Sequence, residues 1–121
     1  MYAQLLYIII QLKVKIYAAI NMYVDIPGAP QNVVVSNTTS STITLSWSPP
    51  PVSETHGLTI FSYTTNCSMD LNIQSSTVMN TDTLSATLSH LHPFTIYNCC
   101  VAVNSNNGRG ELACLTTITG Q

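Results

Sequence analysis

Thr42-Ile43-Thr44-Leu45-Ser46-Trp47 alternates polar and apolar residues without a break, and then runs into Pro49-Pro50-Pro51. Successive side chains on a strand point to opposite faces, so Ile43, Leu45 and Trp47 share one face and the hydroxyl residues the other. The pattern predicts a half-buried β-strand. The prolines end it, because proline cannot donate to a ladder.

The same period recurs on both sides of this stretch. Ile60 to Cys67 predicts another strand, with Tyr63, Thr65 and Cys67 on one face. Leu84, Ala86 and Leu88 alternate again, as do Tyr97, Cys99, Val101 and Val103. A last strand is expected from Glu111 to about Thr119, after the turn Asn104-Ser105-Asn106-Asn107-Gly108-Arg109-Gly110. Gln31 to Asn37 and a short strand near Leu71 to Thr77 complete seven. Seven short strands without helical periodicity imply an all-β, seven-stranded, immunoglobulin-like β-sandwich.

The 121 residues allow one domain with room for a tail. Pro27-Gly28-Ala29-Pro30 marks the boundary, dividing residues 1–26 from a domain at 27–121. Met1 to Ile26 is an apolar N-terminal segment. Leu5 to Ile10 is strongly apolar, but Lys13 and Lys15 interrupt it, whereas a spanning helix wants about 18 or more apolar residues. No basic residue precedes Leu5 as a signal peptide would require, although Ala18-Ala19 approximates a small-residue cleavage site. The segment therefore reads as a weak signal or anchor, or as a non-native tail or truncated end of something longer.

Composition narrows the function classes. Hydrophobic residues make up 45% and charged residues only 7% of the chain. Ser, Thr and Asn supply the exposed strand faces instead. A net charge of −2 and no basic stripe exclude a nucleic-acid surface. His56, His90 and His92 form no helical metal-binding spacing, and no nucleophile elbow or glycine-rich loop accompanies them. Neither an enzyme nor a cofactor site is expected.

The four cysteines, Cys67, Cys99, Cys100 and Cys114, read as two disulfides in an oxidising compartment. Adjacent Cys99 and Cys100 face apart on a strand, so they cannot both reach one tetrahedral metal, and a bridge between them is disfavoured. Three connectivities are open in principle.

At this point the residues resemble the fibronectin type III family. Pro27-x-x-Pro30 followed by Val33 and Val35 looks like its opening strand. Leu45-Ser46-Trp47-Ser48-Pro49-Pro50 looks like its second, with Trp47 as the core tryptophan, and Tyr63 is placed like its third-strand tyrosine. Leu88-x-x-Leu91-x-Pro93-x-Thr95-x-Tyr97 is the most specific match. It resembles the corner where the tyrosine hydroxyl bonds back to the preceding loop. Val101, Val103 and Gly108-x-Gly110 fit the sixth strand and its hairpin. The match covers roughly Pro27 to Thr119. Most members lack the cysteines, which resemble a variety found in large multidomain invertebrate surface proteins.

The resemblance implies that the third and sixth strands are antiparallel neighbours. Cys67 has the parity of Tyr63, and Cys99 that of Tyr97 and Val101, so a buried Cys67–Cys99 bridge is implied. A last hairpin symmetric about Asn107 would set Asn104 against Gly110, Cys99 against Leu115 and Cys100 against Cys114. The second bridge is then Cys100–Cys114, on the outer face.

The resemblance further implies an extracellular protein-binding or spacer module of a cell-surface or secreted adhesion or receptor protein. Its partners would be other proteins, and a membrane would be reached only through the N-terminal segment or a missing part of a longer chain. A cytokine-receptor-like ligand-binding module lacks its Trp-Ser-x-Trp-Ser repeat here, since Trp47 is the sole tryptophan. An intracellular structural module fits poorly with paired cysteines and sequons. Two glycosylation sequons occur, at Asn37, in a predicted turn, and at Asn66, pointing outward. Arg109-Gly110-Glu111 resembles the integrin-binding tripeptide of some relatives with Glu in place of Asp. The reading preferred for this loop is a turn to which Gly108 and Gly110 supply positive φ.

Overall fold

The computed structural model describes residues 26–121. The expectations for the N-terminal segment therefore lie, apart from Ile26, outside the described residues. Seven strands follow in order: β1 (Gln31–Thr38), β2 (Ile43–Ser48), β3 (Ile60–Met69), β4 (Asn72–Asn80), β5 (Ser85–Leu88), β6 (Ile96–Ser105) and β7 (Gly108–Ile118). A single 3-10 turn, Val52–Glu54, follows the prolines after β2. The strands form two antiparallel sheets, ordered β1-β2-β5 and β4-β3-β6-β7.

The alternation in the sequence explains how the sheets meet. On β2, Ile43, Leu45 and Trp47 are buried, and the residues between them are half-exposed. Ile43 pairs with Leu88 and Leu45 with Ala86 across β5, so one sheet offers a continuous apolar face. The other sheet offers Tyr63 and Cys67 from β3 and Tyr97, Cys99, Val101 and Val103 from β6. These two faces close on each other and make the core. Burial of such side chains contributes roughly 1.5–3 kcal/mol each.

The outward residues are bonded without charges. Thr44 and Thr87 share a hydroxyl–hydroxyl bond of 2.9 Å between β2 and β5. The Asn104 amide donates to Ser62 Oγ at 2.9 Å and to Thr64 Oγ1 at 2.7 Å. Cross-strand polar pairs of this kind stabilise a sheet much as ion pairs do.

Four expectations about the strands and their register need correction. The span Asn104 to Gly110 is not a long turn: β6 and β7 continue almost to the tip, and only Asn106 and Asn107 lie between them. Asn104 faces Arg109 rather than Gly110, because a bulge intervenes. From Ala102↔Leu112 to Asn104↔Arg109, β7 takes one residue more than β6. Beyond the bulge the register is the symmetric one, from Ala102↔Leu112 through Cys100↔Cys114. Asn37 lies within β1, opposite Thr44, and not in a turn. Finally, β4 begins after a tight turn at Asp70-Leu71 and runs on to Asn80, beyond the Thr77 expected.

Candidate functional site

The four-stranded sheet carries both bridges, one on each face. Cys67 and Cys99 are direct partners in the β3–β6 register, fully buried, and joined at 2.06 Å. Cys100 and Cys114 are direct partners in the β6–β7 register and are also joined at 2.06 Å. Cys114 is exposed, so this second bridge lies on the outer surface. The loops closed span 32 and 14 residues. Restricting the unfolded chain in this way stabilises by about 4 and about 3 kcal/mol on a chain-entropy model.

The corner before β6 is tied from three sides. The His92 N–H donates to the Tyr97 hydroxyl at 2.8 Å. The Thr119 hydroxyl donates to the His92 carbonyl, and accepts the Thr95 N–H at 2.9 Å. The Leu91 N–H donates to the Ser41 carbonyl at 3.0 Å. Leu91 is buried, while Pro93 is exposed at the surface of the corner. Thr119 escaped the sequence reading, where it appeared merely as a strand end. Its near-complete burial marks it, and burial is not visible in a sequence.

Trp47 packs against Tyr63 across the sandwich, with ring centroids 5.4 Å apart and planes tilted by 59°. Its indole N–H is buried without an acceptor among the described residues. Burial pushes the Tyr63 hydroxyl above the ordinary tyrosine pKa. Val101 lies in the centre of the core.

The two sequons differ in setting. Asn37 is exposed at the end of β1. Asn66 is half-buried in mid-sheet, beside Cys100 on one side and Ser76 on the other. A glycan at Asn66 would leave the sheet next to the outer bridge.

The hairpin residues divide the work expected of them. Gly108, at φ +103°, supplies the left-handed position that closes the Asn106–Asn107 turn. Gly110 does not have positive φ, which corrects the expectation. Its Cα instead lies under the Pro27 carbonyl, and a Cβ there would collide with it. Arg109 and Glu111 are both exposed at this end of β7.

A shallow cleft of about 460 Å³ lies at the opposite end, bounded by Met69, Leu71, Ile96, Asn98 and Thr116. Among the described residues, no group of three or more His, Cys, Asp or Glu converges on a point that could hold a metal ion. None of the described helical segments is long and apolar enough to cross a membrane. The arrangement offers surfaces, edges and loops for contact.

A family model described as "Fibronectin type III domain" matches residues 28–117. The chain belongs to the fibronectin type III family. The chain is also 38% identical over 90 residues to human receptor-type tyrosine-protein phosphatase F, a match covering 74% of this chain and 5% of that protein. It is 33% identical over 86 residues to the tyrosine-protein phosphatase Lar of Drosophila melanogaster, covering 70% and 4% respectively. Among solved structures, the FN5 domain of Drosophila Lar superposes with a TM-score of 0.59 at 25% identity, covering 79% of this chain and 99% of that one. The third fibronectin III domain of the human KIAA0343 protein gives 0.65 at 22% identity, covering 80% and 85%. The match to the phosphatases is confined to the fibronectin type III region, which is not catalytic, so phosphatase chemistry does not carry over.

Proposed function

We propose that this fibronectin type III domain is an extracellular protein-binding and spacer module of a cell-surface or secreted adhesion or receptor protein. The observation that carries the reading is the two-bridge frame on β3, β6 and β7. Bridges of this kind form and persist in oxidising compartments and are rare in the cytosol. The similarity to receptor-type phosphatases supports the same setting. Asn37, exposed on the β1 end, is the better glycan acceptor, and Asn66 the poorer, because its neighbours Cys100 and Ser76 crowd it.

The reading is tested in the source cells with an antibody to the domain, applied before and after permeabilisation, and with alkylation of free thiols before digestion. Labelling of intact cells or of the medium, with no alkylated cysteine, is the expected result. Labelling only after permeabilisation, with all four cysteines alkylated, would instead place the domain inside the cell. Enzymatic deglycosylation should convert Asn37 to Asp and leave Asn66 unchanged.

A further inference from the structure

We propose that the open edge of β4 receives an extended segment of another protein, uncharged along its middle and basic at both ends, as an added strand. The inference rests on the protein-binding reading above and assigns that reading a site and a partner chemistry.

The two edges of the four-stranded sheet differ. At β7, the Pro27 carbonyl takes the Glu111 N–H and covers Gly110, and Arg109 and Glu111 place charges on the strand. At β4, among the described residues, the ladder pairs with β3 on one side alone. An edge strand turns alternate N–H and C=O groups outward, ready to pair with another chain. Proteins blunt such edges with lysine, proline or bulges. Asn72–Asn80 contains no charged residue and no proline. It has one bulge, where Cys67↔Ser75 is followed by Ser68↔Ile73 and Gln74 is the extra residue. Beyond it, Ser75 to Asn80 keep an unbroken register over six residues. Six residues match the usual length of a strand. An incoming strand would cover Val78, which is 63% exposed, on the outer face and the half-buried Thr77 and Met79 on the inner one.

Charge selects the occupant. Asp70 precedes this edge and Asp82 follows it, and both are exposed. The single Lys or Arg among the described residues is Arg109, on β7 at the other edge of the sheet. A second copy paired antiparallel about Ser76 would bring the turn carrying Asp70 of each copy toward the turn carrying Asp82 of the other. Like charges brought together across a pair of strands destabilise it. A strand with a basic residue at each end meets two carboxylates instead. Main-chain bonds then give affinity, and the ends give specificity.

The test uses the full chain, labelled with ¹⁵N, and two synthetic eight-residue peptides of alternating Thr and Val. One carries Lys at both ends and the other Glu. The Lys-ended peptide should shift the amides of Ser75 to Asn80 saturably at low salt, and bind about tenfold more tightly than the Glu-ended one. The double substitution Asp70→Asn with Asp82→Asn should abolish that preference. Val78→Lys, checked for unchanged circular dichroism and melting, should weaken the Lys-ended peptide at least about fivefold. Shifts confined to other strands, equal binding of both peptides, or no binding would each overturn the edge proposal. Any of these, found together with labelling of intact cells, would sink the edge and leave the module reading standing.

Discussion

Gly110 lies directly beneath the Pro27 carbonyl, and the adjacent Glu111 N–H donates to that same oxygen at 3.0 Å. The bulge in β7 therefore has a purpose in the fold. It seats the segment leading into β1 against the last hairpin, so the start of the domain is fixed to the turn between β6 and β7.

Gly110→Ala separates steric from conformational cost. The Gly110 backbone does not need positive φ, so the whole penalty comes from the added methyl meeting backbone atoms of Pro27. A loss of about 1–3 kcal/mol is expected in urea unfolding. Gly108→Ala meets open space, and its cost, about 1 kcal/mol, comes from φ +103°. A Gly110→Ala variant as stable as the parent would show that Pro27 is not held there.

The corner makes a coupled prediction. Tyr97 accepts the His92 N–H, and Thr119 donates to the His92 carbonyl. Tyr97→Phe should cost about 1–3 kcal/mol, because a part-buried N–H loses its acceptor. Thr119→Val should cost a similar amount. Since both hold one residue, a double-mutant cycle should give a coupling energy of about 0.5 kcal/mol or more. Simple additivity would mean that the two bonds act independently.

Alkaline stability follows from Tyr63. Its hydroxyl titrates above the ordinary value of 10.0 in the folded domain because it is desolvated. The unfolded chain thus loses this proton first as pH rises. Stability from this group is full below the unfolded pKa and declines as pH climbs from there through the folded pKa. Melting temperature should be flat with respect to Tyr63 between neutrality and about pH 9, then fall. The fall should be shallower in Tyr63→Phe after correction for the other tyrosines. An identical alkaline slope in the two proteins would contradict the assignment.

Much of this architecture was legible because the period of two is unusually clean. Ile43, Leu45 and Trp47 alternate without interruption, and so do Tyr97, Cys99, Val101 and Val103, so strand faces followed directly from spacing. The corner was legible from Leu91, Pro93 and Tyr97 together. What could not be read were features set by contact between distant segments. The Gly110 bulge depends on Pro27, more than eighty residues earlier in the chain. Glycine in Gly-x-Gly looks the same whether it serves a turn or a close approach. The role of Thr119 is invisible without the fold for the same reason. The end of β4 was misplaced because Ser75 to Asn80 mixes polar and apolar residues on both faces, with Val78 outside and Met79 inside, and leaves no sharp alternation to follow.

The central claim is an oxidised sandwich whose third, sixth and seventh strands are stapled, one bridge inside and one outside. Peptide mapping of the unreduced protein tests it most directly, with a graded thiol treatment beforehand. The account predicts Cys67 linked to Cys99 and Cys100 linked to Cys114, with the second bridge opening first because Cys114 is exposed while Cys67 and Cys99 are fully buried. Cys67 linked to Cys100, or four free thiols in protein isolated from its source, would contradict it.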